Sequence, residues 1–291
     1  MEVITVFTPT FNRAYILNVL YESLCRQTKK NFIWLIIDDG SVDNTKQLVD
    51  QWMKEKKIKI EYYFQENKGK NSAHNRGVIL CNTDLFVCVD SDDFLIDNAM
   101  EIVENSLNEI KDEKIAGFVS GRFMISETSC YERKTSSLLE VSTLREYLGH
   151  SGISETTLFF KTDVIKRFLF PEIEGEKFIP ESYVYNQIDQ KYKYRILKDH
   201  LVISKYQPDG FVKNWEKFRA ANPKGFAMVY NQQLQLFQLN FETKIKTAML
   251  YIIFSRKGHT KGIWAKANCS THVFLIAWFL SFFYEKRVLG C

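Results

Sequence analysis

The chain has 291 residues, of which 45% are hydrophobic, 25% charged and 14% aromatic, a balance that excludes a disordered or fibrous chain. A formal charge of +4 is too small to argue for a nucleic-acid partner. The six cysteines (Cys25, Cys81, Cys88, Cys130, Cys269, Cys291) include no Cys-x-x-Cys pair and no histidines at zinc spacing, so they read as small apolar residues in a reducing compartment.

The N-terminus runs into an apolar stretch with no basic leader before it, which leads to a cytosolic expectation. Val3 to Thr8 is apolar and β-branched and stops at Pro9, so a strand is expected there. Thr10-Phe11-Asn12-Arg13 follows, then Ile16, Val19, Leu20 and Leu24 at helical spacing, with Asn12 as the expected N-cap. Phe32 to Ile37 reads as a second buried strand ending at Asp38-Asp39-Gly40-Ser41. Asp43 or Asn44 can cap a second helix, whose apolar face carries Leu48, Val49 and Trp52. Ile58 to Phe64 is a third strand; Asn67-Lys68-Gly69-Lys70-Asn71-Ser72 and a helix from about Ala73 to Leu80 come next.

Leu85 to Val89 is an apolar run too short for a useful helix, and it ends at Asp90-Ser91-Asp92-Asp93. Side chains alternate along an extended chain, so Asp90 and Asp92 are expected to project the same way. Two like charges held that close repel unless a cation sits between them. The competing reading is a solvated acidic turn leading to a helix over Asn98 to Leu107. Four strands alternating with helices imply a mostly parallel, doubly wound sheet, with its polar loops at the edge where ligands bind. No Gly-x-Gly-x-x-Gly follows the first strand, and Phe64 stands where a P-loop before Gly69-Lys70 requires Gly; both nucleotide motifs fail.

Thr8-Pro9-Thr10-Phe11-Asn12-Arg13, Ile37-Asp38-Asp39-Gly40-Ser41-Val42-Asp43, Asn67-Lys68-Gly69 with Asn75-Arg76-Gly77, and Asp90-Ser91-Asp92-Asp93 together resemble the inverting glycosyltransferases of family 2, which have the GT-A fold. The resemblance covers about the first third of the chain and points to enzymes of bacterial cell-surface polysaccharide or capsule synthesis. It implies that the turn around Pro9 (Thr8, Pro9, Thr10, Asn12, Arg13) and Asp39 form the base-and-ribose pocket, with Asp38 structural. Lys70, Asn75, Arg76, Asp90 and Ser91 are further expected contacts of the nucleotide-sugar. His74 is a helix-face residue, and Asp93 has no assigned role. Asp92, with Asp90, would bind Mn²⁺ or Mg²⁺ on the donor diphosphate.

Beyond Glu104, strands are expected at Ile115 to Ser120, Gly121 to Ile125 and Thr157 to Phe160, with a short helix at Thr162 to Phe168. Ser126 to Ser137 reads as an exposed polar loop, and Glu172, Glu174 and Glu176 as a solvated turn around Gly175. Inverting transfer needs a carboxylate to take the acceptor's proton. The resemblance places it at Glu181, ahead of a helix over Tyr183 to Ile188. Pro180 replaces the first member of the family's usual Glu-Asp pair, and the alternative is an ordinary first-turn Glu beside a proline. Tyr206 to Gly210 reads as a turn closing the catalytic domain.

From Thr243 to Tyr284 there is no acidic residue, while Lys244, Lys246, Arg256, Lys257, Lys261 and Lys266 are basic. Val273 to Tyr284 is nearly all apolar but shorter than the ~20 residues of a spanning helix. An interfacial helix at the inner membrane surface, a bundle packed on the catalytic domain, or a homodimer contact would each fit. The expected organisation is a GT-A catalytic domain over residues 1–212, with a nucleotide half to about 100 and an acceptor half from 101, then a helical region over 213–291. The expected activity is metal-dependent, inverting transfer from a nucleotide-sugar, UDP-linked, to a hydroxyl of a glycan or lipid-linked oligosaccharide. The expected place is the cytoplasm, peripheral at the inner face of the membrane. The rivals are a sugar-phosphate nucleotidyltransferase, which needs a basic Gly-rich loop that Thr8 to Arg13 does not supply, and a non-catalytic nucleotide- or glycan-binding subunit.

Overall fold

The computed structural model describes residues 2–108, 110–125, 139–151, 155–205, 207 and 215–289, and the backbone of 130–131. Two compact units result: Met1–Leu169 with Lys191–Gln207, and Phe170–Gln190 with Pro208–Cys291. The excursion at 170–190, which groups Glu181 with the C-terminal helices, is not foreshadowed by the boundary drawn at residue 212.

The first unit opens with β1 (Ile4–Thr10), α1 (Leu17–Arg26), β2 (Phe32–Asp38), α2 (Thr45–Glu55), β3 (Lys59–Phe64), α3 (Lys70–Leu80) and β4 (Leu85–Cys88). These four strands run parallel in the order β3-β2-β1-β4. Val6, Trp34, Ile36 and Val87 are fully buried because helices cover the sheet, which is why β1, β2 and β4 read as unbroken apolar runs. Tyr21 of α1 stacks on Trp52 of α2 with ring centroids 4.3 Å apart, and both lie against Trp34.

Two local expectations change. β1 does not stop at Pro9 but continues to Thr10 along β2. The Phe7 carbonyl accepts from Val89 on the β4 side. Two residues on, the missing N–H of Pro9 faces that same side, where β4 has already ended at Cys88, so the proline breaks no ladder bond. Asn12 does not cap α1, which begins five residues later; it adopts φ +53°. Its side chain instead accepts from the Val42 N–H at 2.8 Å, tying the loop after β1 to the loop after β2.

β5 (Asp93–Leu95) and α4 (Ala99–Leu107) follow, then β6 (Ile115–Ile125), β7 (Cys130–Tyr131), β8 (Val141–Ser142), α5 (Leu144–Ser151), β9 (Thr156–Lys161) and α6 (Thr162–Ile165). The two strands expected across 115–125 are one strand, β6, that changes partners. Gly117 to Gly121 lies in the main sheet beside β9, antiparallel. β9 also pairs antiparallel with β4, so the sheet is mixed beyond its parallel half. At Gly117 (φ +146°) a Cβ would stand 1.8 Å from the Phe159 carbonyl oxygen, so only glycine permits this approach of the two strands. The loop expected at 126–137 lies almost wholly outside the described residues, as does the turn expected at 206–210 apart from Gln207.

α7 (Ser182–Ile188) belongs to the second unit; β10 (Lys193–Ile196) and β11 (Val202–Lys205) return to the first. β10 runs parallel to β6, and β11 lies between β5 and the outer half of β6. The second unit continues with α8 (Trp215–Ala221), α9 (Pro223–Leu236), α10 (Phe241–Lys257), α11 (Ile263–Lys266) and α12 (Thr271–Leu289). Its own core gathers Phe178, Phe226, Tyr251, Ile252, Phe254 and Phe274. Glu176 is not part of a solvated turn: its carboxylate accepts from the backbone N–H groups of Lys224 and Gly225 at 2.8 Å each, satisfying donors that the first turn of α9 leaves open. Among the described residues no helix is long and apolar enough to cross a membrane.

Candidate active site

The expected ligand edge is the line where β1, β2 and β4 end, and the structure joins its acidic residues through one short segment. Asp38 closes β2 as a scaffold: Oδ1 accepts from the Ser41 N–H at 2.7 Å and Oδ2 from the Tyr62 hydroxyl at 2.7 Å. Asp39, 5% exposed, accepts from Gln65 Nε2 at 2.7 Å and from the backbone N–H groups of Lys68 at 2.9 Å and Gly69 at 2.8 Å. A carboxylate accepts about four hydrogen bonds, so Asp39 keeps room for one more donor. Gly40 (φ +91°) lets the chain turn here, and a Cβ on it would lie 2.9 Å from the Asn67 nitrogen. Next to Gly69, the Lys70 ammonium reaches Asp90 Oδ1 at 2.9 Å. Asp39, Lys70 and Asp90 are thus linked through two consecutive residues at the start of α3.

Asp90-Ser91-Asp92 forms the turn between β4 and β5. Burial works against the charge on Asp90, but Lys70, then Arg122 and Arg13, outweigh it and hold the carboxyl below the ordinary range. Asp92 goes the other way, raised by burial and by the neighbouring Asp90 charge. The two carboxylates therefore sense one another across a turn, not along the extended segment that the sequence pattern led one to expect. Asp93 turns inward, 5% exposed, and takes Arg122 Nη1 at 2.7 Å. Burial, Asp90 and Asp92 raise its pKa while Arg122 pulls against them.

Arg122 is the principal residue that the sequence reading missed. Its Nε donates to the Thr156 carbonyl at 2.9 Å and Thr157 Oγ1 at 3.1 Å while the guanidinium neutralises Asp93. A lone arginine inside the apolar run Ile115–Ile125 was the available signal, because such a charge needs a buried counter-ion. Gln65, which holds Asp39, carried no signal of its own.

The other expected site residues divide. Thr8 is fully buried and its hydroxyl accepts from Trp34 Nε1 at 3.0 Å, which puts that side chain in the core. Pro9 is half-buried on β1. Thr10 is 3% exposed, its carbonyl accepts from the Asp39 N–H at 2.8 Å, and its hydroxyl has no hydrogen-bond partner among the described residues. Arg13 donates to the Tyr15 hydroxyl at 2.6 Å and acts electrostatically on Asp90 and Asp92. Arg76 donates to the Phe64 carbonyl at 2.8 Å and lies over Tyr63, so its guanidinium anchors the end of β3. Asn75 is half-buried on α3, and Ser91 is buried in the acidic turn. Glu181 stands immediately before α7, in the second unit.

Solved structures of other proteins share this fold. The structure of Staphylococcus aureus TarS 1-349 in complex with UDP-GlcNAc aligns with TM-score 0.66 at 16% identity, over 100% of this chain and 91% of that one. The mannosyltransferase PcManGT from Pyrobaculum calidifontis, in complex with GDP-Man and Mn²⁺, aligns with TM-score 0.58 at 13% identity, over 99% and 84%. At these identities the likeness establishes a shared fold. A Campylobacter jejuni GalNAc(5)-diNAcBac-PP-undecaprenol beta-1,3-glucosyltransferase is 30% identical over 111 residues, 38% of this chain and 36% of that protein. Four further curated relatives are matched over only 14–38% of their own length. The family described as glycosyl transferase family 2 matches residues 5–164, more than half of the 291; this chain belongs to that family.

Proposed function

We propose that the enzyme transfers a sugar from a UDP-sugar to a hydroxyl of a glycan or lipid-linked oligosaccharide with inversion at the anomeric carbon, in cell-surface polysaccharide synthesis. The observation that carries this is the linkage of Asp39, Lys70 and Asp90 through Gly69 at the ends of β2 and β4. Asp39 has capacity for one donor from a base, and Lys70 supplies a cation beside the acidic turn. TarS with UDP-GlcNAc on the same fold supports a uridine donor, and the undecaprenol-linked substrate of the Campylobacter relative supports a lipid-linked acceptor.

Asp90 and Asp92 fit Mn²⁺ or Mg²⁺. Among the described residues no three His, Cys, Asp or Glu side chains converge as metal ligands. Such ions need only one or two carboxylates where substrate phosphates and water complete the octahedron. The donor atoms are hard oxygens, and Asp92 is raised first by burial and then by the Asp90 charge, an environment in which a bound cation would favour its ionised form. When bound, the cation stabilises the charge on the departing diphosphate. Lys70 exchanges Asp90 for a phosphate oxygen, and Arg122 keeps Asp93 fixed beneath the turn. In the transfer the acceptor oxygen bonds to the anomeric carbon, the bond to the diphosphate breaks, and Glu181 takes the hydroxyl proton.

The test is release of nucleoside diphosphate from a panel of nucleotide-sugars, with Mn²⁺ and with chelator, for the wild type and Glu181→Gln. A UDP-sugar consumed only with the cation, and a loss of about a hundredfold in turnover for Glu181→Gln with donor affinity retained, are expected. Unchanged turnover removes Glu181 from the mechanism, and no turnover of any donor overturns the assignment.

A further inference from the structure

We propose that the outward face of α12 seats the protein on an anionic lipid surface. Helical spacing puts Leu275, Phe279, Phe282 and Lys286 on one stripe, with Ile276 and Phe283 beside it. In this structure Leu275 is 50%, Phe279 64%, Phe282 59% and Phe283 68% exposed. The opposite face, with Val273, Phe274 and Ala277, is buried in the second unit's own core, so the exposed stripe is not needed to hold the unit together.

Charge selects the occupant. Glu285 is the single acid on α12, and Arg256 of α10 takes it at 2.8 Å while its guanidinium lies 4.5 Å from the Phe282 ring centroid and 5.3 Å from that of Trp278. With that acid neutralised within the unit, the exposed charges at the end of the stripe are Lys286 and Arg287. A second copy of the chain would bring the same positive groups against them, with no acid between Thr243 and Tyr284 to answer them. Anionic headgroups supply the missing sign, and exposed aromatic rings suit the boundary between headgroup and acyl chain. Among the described residues no helix is long and apolar enough to span the bilayer, and the association proposed is interfacial.

The experiment is co-sedimentation of the full chain with phosphatidylcholine vesicles and with vesicles also containing phosphatidylglycerol, without any sugar donor, so it stands or falls apart from the transferase reading. The wild type is expected to sediment with the anionic vesicles and to be released by salt. Phe279→Ser with Phe283→Ser should weaken partitioning by about tenfold or more with an unchanged melting curve, and Lys286→Glu with Arg287→Glu should remove the preference for anionic lipid. Wild-type protein left in the supernatant, or serine variants that bind as well as wild type, would overturn the proposal. So would a dimer in sedimentation velocity that the two serines dissociate while vesicles go unbound.

Discussion

Arg122 and Asp93 show how much of this site is held by groups that never need to meet the substrate. The pair is buried and 2.7 Å apart, and removing one member leaves the other as an uncompensated charge. Arg122→Leu is expected to cost about 3–5 kcal/mol in urea unfolding, and Arg122→Leu with Asp93→Leu to recover most of it. A single substitution costing no more than the double would show that the pair is not coupled. Asp43 offers a pH test. Burial works against its charge, but hydrogen bonds from Thr45 and Ala14 outweigh it and hold its pKa low. An acid with a depressed folded pKa stabilises the fold above its unfolded value, near 3.9, and loses that contribution as pH falls through the folded value. Asp43→Ala should therefore cost about 1 kcal/mol near neutral pH, and the gap from wild type should narrow as the pH falls below about 4. A gap that persists in acid would contradict this. Such pairings escaped the sequence because they join residues distant in the chain: 29 positions separate Asp93 from Arg122 and Asp43 from Ala14.

At the level of elements, β1, β2 and β4 were legible because buried parallel strands are written as unbroken apolar runs with polar ends, while β3, half-exposed at the sheet edge, alternates in part. Helix starts were less so. Asn12 has the chemistry of a cap, yet a competing partner, the Val42 N–H, takes its side chain, and α1 waits until Leu17. Likewise β6 could not be read as one strand that changes sheets, since its sequence says nothing about the partners on either side of Gly121. Glu176 was misread for the same reason: its role depends on the distant N-terminus of α9. Replacing it with Ala should destabilise the second unit by about 1 kcal/mol, seen as an earlier phase in hydrogen exchange of α9 and α10; protection equal to the wild type in both helices would refute the cap.

Over the whole molecule, four short sequence blocks foretold the family and the alternation of strands with helices foretold the parallel half of the sheet; the blocks lie at or just after strand ends, apart from Asn75-Arg76-Gly77 within α3. The grouping of residues 170–190 with the C-terminal helices, by contrast, is set by tertiary packing and has no local mark. The central claim is that the edge formed by Asp39, Lys70, Asp90 and Asp92 holds a nucleoside diphosphate with a divalent cation. Titration calorimetry of UDP into the wild type and Asp92→Asn, each with Mn²⁺ and with chelator, tests it most directly. The account predicts that chelation and Asp92→Asn each weaken UDP binding by at least about tenfold, and that the two together weaken it little further. UDP binding of equal strength in all four titrations would contradict it.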